Sequence, residues 1–384
     1  MKICGIICEF NPFHNGHEYL LKRVREMYRC DYIVCIMSGS FTQRGDMCIA
    51  DKYVRAKHAV LSGADCVLEL PAPFAVAPAE VFARGAVKVL LSIPDIGGIA
   101  YGCESGAPED FMNTAVTLAE ESEEFKKLLK SRLEEGESYV KSYAYALEMT
   151  GGNAEIISRP NNVLGLEYAK AVLKQNKKIR LLPIKRAGAD FNDSELKENF
   201  SSASAIRKNI SSPMVKSNVP PHVFSNLEDF STEEEKFEDS LRLLLSRTSK
   251  DDLKKIYGCS EGLENALKNN QDLPFNEIIE KVTSRRYSSS RIKRILCANF
   301  LNLYADDVES YLNTDLYLSP LAVKKSSADG VFKALSKSVY PLLTSGSDEQ
   351  NLNEIAQKCK KSDDFAYLQW RQLTGKQQNK MILI

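Results

Sequence analysis

Short apolar runs alternate with helix-forming segments along the first half of this chain, and this order constrains its fold more than any other feature. Five runs have the length of buried strands: Ile3–Cys8, Tyr32–Met37, Cys66–Leu70, Ile99–Gly102 and Ile179–Ile184. Helices are predicted at His17–Tyr28, Asp51–Ser62, Ala79–Leu91, Glu109–Glu135, Ser138–Met149 and Val163–Lys174. The alternation predicts an α/β fold with a parallel sheet between helices, in which ligands bind at the carboxyl ends of the strands.

The second half of the chain has a different character. The whole chain has 384 residues, more than the ~250–300 residues at which single hydrophobic cores usually stop growing, so two domains are expected. Ser211-Ser212-Pro213 and Pro220-Pro221 mark a connector, and charged helical segments follow at Glu233–Ser246 and Ser249–Ile256. We predict a ligand-binding domain over residues 1–211 and a mostly α-helical domain over residues 212–384.

Composition narrows the class of protein. The 51 Lys and Arg residues equal the 51 Asp and Glu residues, which argues against bulk nucleic-acid binding but not against a local basic patch. Ten scattered cysteines form no Cys-x-x-Cys pair, which favours a reducing, cytoplasmic compartment over disulfides or a bound metal. No apolar run approaches ~18 residues and no secretion signal is recognisable, so we expect no membrane association. No protein partner can be inferred.

The segment Gly5–Leu20, GIICEFNPFHNGHEYL, is the best candidate for a nucleotide phosphate site. The first predicted strand is followed by Asn11-Pro12, and His14 and His17 flank Gly16 where a helix should begin. A helix N-terminus offers unpaired N–H groups and a positive dipole end, and the histidines can add donors to an α-phosphate. Gly16 would let backbone and phosphate approach closely. Such a histidine pair can also merely cap a helix or bind a metal, but the strand and the Asn-Pro break favour the nucleotide.

Polar residues also follow the other predicted strands. Ser38–Asp46, with its hydroxyls and Arg44, suits a phosphate or carboxylate but also an ordinary surface loop. Gly102 would let a nucleotide pass close to the backbone, and Arg186 follows the fifth strand. We expect the basic residues of the helix after Ser38–Asp46, Lys52, Arg55 and Lys57, to form a solvated face.

Two segments supply further candidate phosphate and nucleotide ligands. Arg159–Gly165 is predicted to be a loop that leads into a helix, with Asn161 and Asn162 as a helix cap and a nucleotide partner. Phe200–Lys208 offers the hydroxyls of Ser202 and Ser204 and the guanidinium of Arg207 to the β- and γ-phosphates, although a plain Ser-capped helix has the same pattern.

A basic cluster lies in the second half, within Lys281–Ile295. It comprises Lys281, Arg285, Arg286, Arg291, Lys293 and Arg294, with Tyr287 among them and no acidic residue. Phosphate affinity comes mainly from Lys and Arg, so the segment is a candidate RNA-binding patch. A solvated helix face explains the same charges equally well.

The spacing His14-x-x-His17 resembles the HxGH signature of nucleotidyltransferases, and Phe200–Lys208 resembles their Ser/Thr-rich second signature. Together with MSGSFTQRG, FARG, YGCESG, PNNVLG and SRRY, these segments resemble one family, the bacterial tRNA(Met) cytidine acetate ligases. The resemblance covers at least residues 1–295. It implies a Rossmann-like HIGH-type nucleotidyltransferase domain with a parallel sheet, followed by a helical tRNA-binding domain.

The resemblance implies a two-step reaction with defined site residues. ATP, with Mg²⁺ on its phosphates, and acetate form acetyl-adenylate and pyrophosphate, and the acetyl group passes to the wobble cytidine of elongator tRNA(Met) to give N4-acetylcytidine. Catalytic roles are implied for His14, His17 and Arg207, and RNA contacts are expected from Arg285, Arg286, Arg291 and Arg294. No protein ligand to a metal is expected. The ATP site would comprise Ile7, Cys8, Glu9, Phe10, Asn11, Pro12, Phe13, His14, Asn15, Gly16, His17, Glu18, Tyr19, Leu20, Gly102, Asn161 or Asn162, and Arg186, with Ser202 and Ser204 nearby.

Two other functions are compatible with parts of the sequence. A small-molecule adenylyltransferase would explain residues 1–210 but would leave the helical half and the basic cluster without a task. A non-catalytic RNA-binding protein with a nucleotide fold would not need His14, His17 and Arg207 together. The sequence also leaves open the general base for the cytosine amine, for which Glu9 and Asp46 are the candidates.

Overall fold

The computed structural model describes residues 1–175, 178–187 and 195–384. A seven-stranded sheet lies at its centre, in the order β5-β4-β1-β2-β3-β6-β7. The five predicted strands are present and parallel, while β6 pairs antiparallel with β3 and parallel with β7. The strands are β1 (Ile3–Cys8), β2 (Tyr32–Ser38), β3 (Cys66–Leu70), β4 (Ile96–Cys103), β5 (Arg180–Lys185), β6 (Pro320–Val323) and β7 (Ile382–Leu383).

Helices cover both faces of the sheet and form the bulk of the second half. The first ten are α1 (Asn15–Tyr28), α2 (Lys52–Leu61), α3 (Ala72–Ala75), α4 (Ala79–Leu91), α5 (Pro108–Glu120), α6 (Glu123–Glu134), α7 (Tyr139–Met149), α8 (Ala154–Ser158), α9 (Pro160–Lys174) and α10 (Ala203–Lys208). The others are α11 (Pro221–Phe224), α12 (Glu234–Arg247), α13 (Lys250–Lys255), α14 (Leu263–Asn269), α15 (Phe275–Val282), α16 (Ser289–Phe300), α17 (Ala305–Leu312), α18 (Ala328–Leu335) and α19 (Glu354–Thr374). Short 3₁₀ turns occur at Pro213–Ser217, Leu227–Asp229, Lys325–Ser327 and Gly346–Asn351.

Two predicted elements differ from those in the structure. The helix predicted over Glu109–Glu135 is two helices, because Glu121 adopts a left-handed φ of 36° and the hydroxyl of Ser122 caps α6. The segment Arg159–Gly165 is not a loop. Pro160 starts α9, since its fixed φ suits the first helical turn, and Asn161 and Asn162 therefore lie inside the helix.

Three apolar clusters hold the layers together. One face of the sheet packs on α4, α5, α9 and α18, and the other on α1 and α2. The third cluster joins α12–α16 and α19 and includes Trp370. Phe41 and Met47, from the loop after β2, lie in this third cluster, so the helical part of the chain packs directly on a loop of the sheet.

The second half of the chain also completes the sheet. Its strands β6 and β7 cover the edge of β3 that would otherwise be open, and Tyr317, Leu318 and Val331 belong to the core of the sheet. Residues 212–384 are therefore mostly helical but not exclusively so. The domain boundary at residue 211 stays a prediction.

Two features bear on the expected compartment. All ten cysteines are free thiols, and most of them are buried. Across the three described ranges, we find no helix with the length and apolar content needed to cross a lipid bilayer.

Candidate active site

The main cleft lies where the strand order changes direction. Strands β2 and β3 lie on one side of β1 and strands β4 and β5 on the other, and ligands in such sheets bind at the carboxyl ends of the strands at this switch point. The cleft is lined there by the end of β1, by Tyr101 and Gly102 of β4, and by Ile184–Ala187 at and after the end of β5. The segments Thr42–Arg44 and Phe200–Ser204 form two further walls.

His14 and His17 use one ring nitrogen each to organise the start of α1. Nδ1 of His14 accepts a hydrogen bond from the N–H of Gly16 at 3.0 Å, and Nδ1 of His17 accepts from the N–H of His14 at 3.2 Å. This is a reciprocal capping arrangement, and the two rings stack with their centroids 3.7 Å apart. A Cβ at position 16 would lie 2.8 Å from the His14 ring, so glycine is required beside the stacked pair.

The capping bonds determine which tautomer each histidine adopts. Because each Nδ1 accepts an N–H, the proton of the neutral ring must sit on Nε2. Burial, followed by the charges of Arg186 and Arg207, lowers the pKa of His14 to about 3. Burial and then His14 and Arg186 lower the pKa of His17 well below its usual value. At neutral pH the cleft therefore contains two neutral Nε2–H donors, neither of which bonds to another described residue.

Arg207 connects the second signature to the first. Its Nη1 donates to the carbonyl of Asn11 at 2.6 Å, and its Nη2 donates to Oγ of Ser204 at 3.2 Å. Oγ of Ser202 accepts the N–H of Ala205 at 3.0 Å and so caps α10. Two distant segments of sequence thus meet at one wall of the cleft, where Arg207 and Arg186 supply positive charge.

Most of the residues predicted for the ATP site line this cleft, but five do not. Phe13 packs against Phe10 and His17, and the amide of Asn15 donates to the carbonyls of Asn199 and Ser217. The residues that line the cleft are Ile7, Cys8, Glu9, Phe10, Asn11, His14, Gly16, His17, Tyr19, Leu20, Gly102, Asn161, Arg186, Ser202, Ser204 and Arg207. Those outside the lining are Pro12, Phe13, Asn15, Glu18 and Asn162.

The neighbouring asparagines have separate positions. The backbone and side-chain N–H groups of Asn161 donate to Oε1 of Glu104 at 3.3 and 2.5 Å, and Asn161 lines the cleft. Asn162 is buried and exchanges hydrogen bonds with Glu104 and Ser105. The carboxylate of Glu104 thereby caps α9, and only Asn161 of the pair faces the cleft.

Two basic residues expected on a solvated face are buried instead. The side chain of Arg55 is 0% exposed and donates to the carbonyls of Glu9 and Ser38 at 2.6 and 3.1 Å, and also to that of Gly39. Lys52 is buried against Glu69, with its Nζ 2.7 Å from both carboxylate oxygens. Only Lys57 is exposed. Arg55 thus ties the ends of β1 and β2 together beneath the cleft.

Sequence reasoning missed the importance of Arg55, although a signal was present. Ala56 and Ala59 are buried on the same face of α2, and Arg55 lies one turn before Ala59. Reasoning from the apolar face would have placed Arg55 inward. The sequence analysis also assigned no site role to the aromatic and aliphatic side chains that line the cleft, which include Phe82, Tyr101, Leu164 and Tyr168.

The four arginines predicted to bind RNA do not share one environment. Arg286 and Arg291 both pair with Glu261, at 3.1 and 2.9 Å, while Arg294 donates to the carbonyl of Gln43 at 3.4 Å on the cleft wall. Arg285 is exposed and forms no hydrogen bond or ion pair within the described part of the chain. The predicted basic face is therefore partly neutralised by an acidic residue 24 positions before Arg285.

The site geometry and the comparisons with known proteins agree. The fold and the capped histidine pair define a nucleotide-binding α/β protein of the HIGH nucleotidyltransferase class, and the family model described as HIGH Nucleotidyl Transferase matches residues 1–380. The tRNA(Met) cytidine acetate ligase of Clostridium novyi (strain NT) is 40% identical over 330 residues, which cover 82% of each chain. That of Clostridium botulinum (strain Hall) is 35% identical over 375 residues, covering 90% of this chain and 92% of the relative.

Solved structures extend the similarity to the whole chain. The apo crystal structure of Thermotoga maritima TmcAL (form I) matches with a TM-score of 0.90 at 29% identity, covering 100% of both chains. The form of that protein bound with alpha-thio ATP matches with a TM-score of 0.86, covering 98% of this chain and 95% of the other. The chain belongs to the HIGH nucleotidyltransferase family and, within it, to the family of the tRNA(Met) cytidine acetate ligases.

Proposed function

We propose that this protein uses ATP to activate acetate and then acetylates the wobble cytidine of elongator tRNA(Met), forming N4-acetylcytidine. The observation that carries the proposal is the pair of neutral Nε2–H donors of His14 and His17 at the start of α1, opposite Arg186 and Arg207. Its support from relatives is the 35–40% identity to tRNA(Met) cytidine acetate ligases over most of the chain. The alpha-thio ATP bound by the Thermotoga maritima protein supports ATP as the nucleotide.

In the first step a carboxylate oxygen of acetate attacks the α-phosphate and pyrophosphate leaves. Negative charge grows on the non-bridging phosphate oxygens, and preorganised donors stabilise such charge without reorganising. This role for His14 and His17 is supported by the hydrogen bonds that hold their rings to the backbone N–H groups of Gly16 and His14 at the start of α1. Arg207, with Arg186, supplies charge for the departing pyrophosphate.

Mg²⁺ fits this cleft as a companion of the triphosphate. Mg²⁺ typically keeps several waters and takes few protein ligands in phosphate sites. Glu9 and Asp46 are the carboxylates among the described lining residues, and Asp46 already pairs with Lys293 at 3.1 Å. In the described ranges no group of three or more His, Cys, Asp or Glu side chains is arranged as a metal site. The cation would neutralise phosphate charge while the residues above orient the nucleotide.

The tRNA is proposed to approach over α16 and the turn that precedes it. Lys293 and Arg294 of α16 contact Asp46 and Gln43 on the cleft wall, so this helix borders the cleft itself. Arg285 extends the positive surface away from the cleft. The cytoplasmic location stays a prediction, which the free cysteines support.

The proposal is tested by supplying ATP, Mg²⁺ and labelled acetate, with and without tRNA(Met) transcript, followed by nucleoside analysis. We expect acetate-dependent pyrophosphate exchange without tRNA, and label in N4-acetylcytidine when tRNA is present. His17→Ala should abolish both signals. The matched control is His222→Asn, because His222 lies outside the cleft and contacts Ser62, and it should retain both.

Two results would contradict the proposal. Pyrophosphate formation that requires a phosphorylated metabolite instead of acetate would identify a small-molecule adenylyltransferase. Full activity of His17→Ala would remove the histidine pair from the mechanism.

A further inference from the structure

The second step of the proposed reaction needs a group that accepts a proton, and the cleft offers few. The exocyclic amine of cytosine is a weak nucleophile that must lose a proton as its new bond forms. The acceptor must lie in the cleft, close to the position of the α-phosphate, and must carry a lone pair that no other group occupies. The candidate groups among the lining residues include two histidines, one thiol, two buried tyrosines and two carboxylates.

The histidines are excluded by their tautomers. Nδ1 of each ring accepts a backbone N–H, so Nε2 already carries the proton of the neutral form. The thiol of Cys8 donates to the carbonyl of Ile36, and burial raises its pKa well above the usual value. Burial likewise raises the pKa values of Tyr101 and Tyr168. None of these groups offers a lone pair that can take a proton near neutral pH.

The two carboxylates, which the sequence could not distinguish, differ sharply in the structure. Asp46 forms a salt bridge with Lys293 at 3.1 Å, and this bond anchors α16 to the cleft wall. Glu9 forms no salt bridge with any residue in the described ranges. Its Oε1 accepts the N–H of Gln43 at 2.6 Å and faces the hydroxyl of Ser38 at 3.5 Å, so one oxygen orients the side chain. Its Oε2 has no hydrogen-bond partner there.

Glu9 also lines the same cleft as His14 and His17. It directly precedes Phe10, whose ring centroid lies 4.8 Å from that of His17. The carbonyl carbon of an acetyl-adenylate is bonded to an oxygen of the α-phosphate, the group that the histidines are proposed to hold. A base on Glu9 would therefore share the cleft with the acetyl-adenylate that the histidines are proposed to hold.

We propose that Glu9 is the general base of acetyl transfer, a role that rests on the proposed function. The N4 amine attacks the carbonyl carbon of acetyl-adenylate and a C–N bond forms. The bond between that carbon and the phosphate oxygen breaks, AMP leaves with the bonding electrons, and a proton of the amine passes to Oε2 of Glu9. Water then takes the proton from the carboxylic acid, so no further reactant is needed.

The electrostatic surroundings of Glu9 suit a base that is regenerated in each cycle. Burial raises the pKa of the Glu9 carboxyl above its ordinary value, and the N–H of Gln43 and the charge of Arg207 oppose this. A raised pKa makes the Glu9 carboxylate a stronger proton acceptor. The charged and titratable groups that interact with it are Cys8, Asp46, Cys48, Arg55, Tyr168 and Arg207.

The test separates the two half-reactions in a Glu9→Gln variant. Glutamine keeps an oxygen for the N–H of Gln43 but cannot take the proton. Acetate-dependent pyrophosphate exchange should fall much less than acetyl transfer does, and a cooperative thermal transition should show that the variant folds. Single-turnover transfer from preformed acetyl-adenylate to saturating tRNA(Met) should fall by ~10²-fold or more, a usual contribution of general-base catalysis. Wild-type transfer should rise with pH along an acidic limb that Glu9→Gln lacks.

Asp46→Asn is the matched control because it removes the other cleft carboxylate. It should retain the acidic limb of the transfer rate, even though the loss of the Lys293 contact weakens tRNA binding. Equal transfer rates in the wild type and Glu9→Gln would overturn the assignment, as would a parallel loss of exchange and transfer. Absence of exchange in the wild type would instead refute the proposed function, so the two failures are distinguishable.

Discussion

At the scale of single residues, His14 and His17 combine a structural cap with a proposed chemical role. A helix cap and a phosphate site are competing explanations of the His-x-x-His spacing in the sequence. In the structure the two histidines do cap the helix, and Nδ1 of each ring accepts one of the capping hydrogen bonds. Because the cap uses Nδ1 alone and both residues line the cleft, the cap is compatible with a donor role for the two Nε2–H groups.

The cap and the donor can be separated at position 14. Asparagine is among the best N-cap residues, and its Oδ1 can replace Nδ1 of His14, but it has no counterpart of Nε2–H. His14→Asn should therefore keep the wild-type melting temperature while acetate-dependent pyrophosphate exchange falls by ~10²–10³-fold, as when one transition-state donor is lost. His14→Ala should lose the same activity and about 1 kcal/mol of stability as well. Equal activity of His14→Asn and wild type would leave the ring with a capping role alone.

The buried histidines also make stability depend on pH. The native pKa of His14, about 3, lies below that of the unfolded chain, so the unfolded state binds the extra proton as the pH falls. The contribution of one such histidine to the free energy of unfolding is fully present above about pH 6.5. It decreases as the pH falls, by about 2 kcal/mol at pH 5. Asp363 acts in the opposite direction, because burial and then Glu69 raise its pKa to about 7. The contribution of His14 can therefore be isolated only by comparing the pH dependence of stability in wild-type protein with that in a variant lacking His14.

We therefore predict that the free energy of unfolding of wild-type protein falls by about 2 kcal/mol more than that of His14→Asn between pH 7 and pH 5. Urea titrations of both proteins at the two pH values measure this difference. An identical loss in the two proteins would mean that His14 is protonated in the native state at pH 5.

At the scale of elements, α16 and the turn before it combine a structural contact with a candidate RNA surface. Arg291 donates to Ser260 and Gly258 and pairs with Glu261, so it holds the turn between α13 and α14 against α16. Tyr287 donates to the carbonyl of Glu261 at 2.6 Å and adds to this contact. Arg285, by contrast, projects into solvent. Within one basic segment, Arg291 thus forms structural contacts while Arg285 is exposed to solvent.

We predict opposite effects for two substitutions in this segment. Arg285→Ala should weaken tRNA binding and lower the slope of log affinity against log salt by about 1, as expected for one lost phosphate contact. It should leave the melting temperature and the acetate-dependent exchange unchanged. Arg291→Ala should lower the melting temperature, because it removes the hydrogen bonds to Gly258 and Ser260 as well as one partner of Glu261. Binding at several salt concentrations, with thermal melts, distinguishes the two; an unchanged salt slope for Arg285→Ala would place the tRNA elsewhere.

At the scale of the whole molecule, the chain returns to its own sheet after forming the helical region. Strand β6 pairs with β3, and β7 follows α19 to pair with β6. Asp363 of α19 accepts the N–H of Ala72 at 2.7 Å, and Trp370 donates to the carbonyl of Cys48 at 2.7 Å. The two halves of the sequence are therefore joined by a shared sheet and by buried hydrogen bonds.

This arrangement predicts that residues 1–211 do not fold alone. Such a fragment would expose the edge of β3 and the apolar surface covered by Leu318 and Val331, and open edges promote aggregation. Expression of 1–211 should give insoluble protein, while co-expression with 212–384 should recover a soluble complex. A soluble fragment with a cooperative thermal transition would show instead that the predicted boundary separates independent domains.

The sequence by itself determined the part of this protein that depends on local pattern. Periodicity identified the five parallel strands, because alternation of short apolar runs with helices admits few other folds. Residue type and spacing identified the histidine pair and the Ser202–Arg207 segment, and the comparisons confirm the family to which these segments pointed. Helix ends were less certain, as the break at Glu121 shows, because a single left-handed residue ends a helix without changing the pattern.

Only the tertiary structure decided what depends on contacts between residues far apart in the chain. The short strand β6 has too little pattern of its own to be recognised, and its pairing follows from packing against β3. Burial of Arg55 depends on carbonyls of β1 and β2, and the pairing of Arg286 and Arg291 depends on Glu261. Likewise the sequence alone does not distinguish Glu9 from Asp46 as the candidate general base. They differ because Lys293 lies beside one of them, and that proximity is a property of the fold.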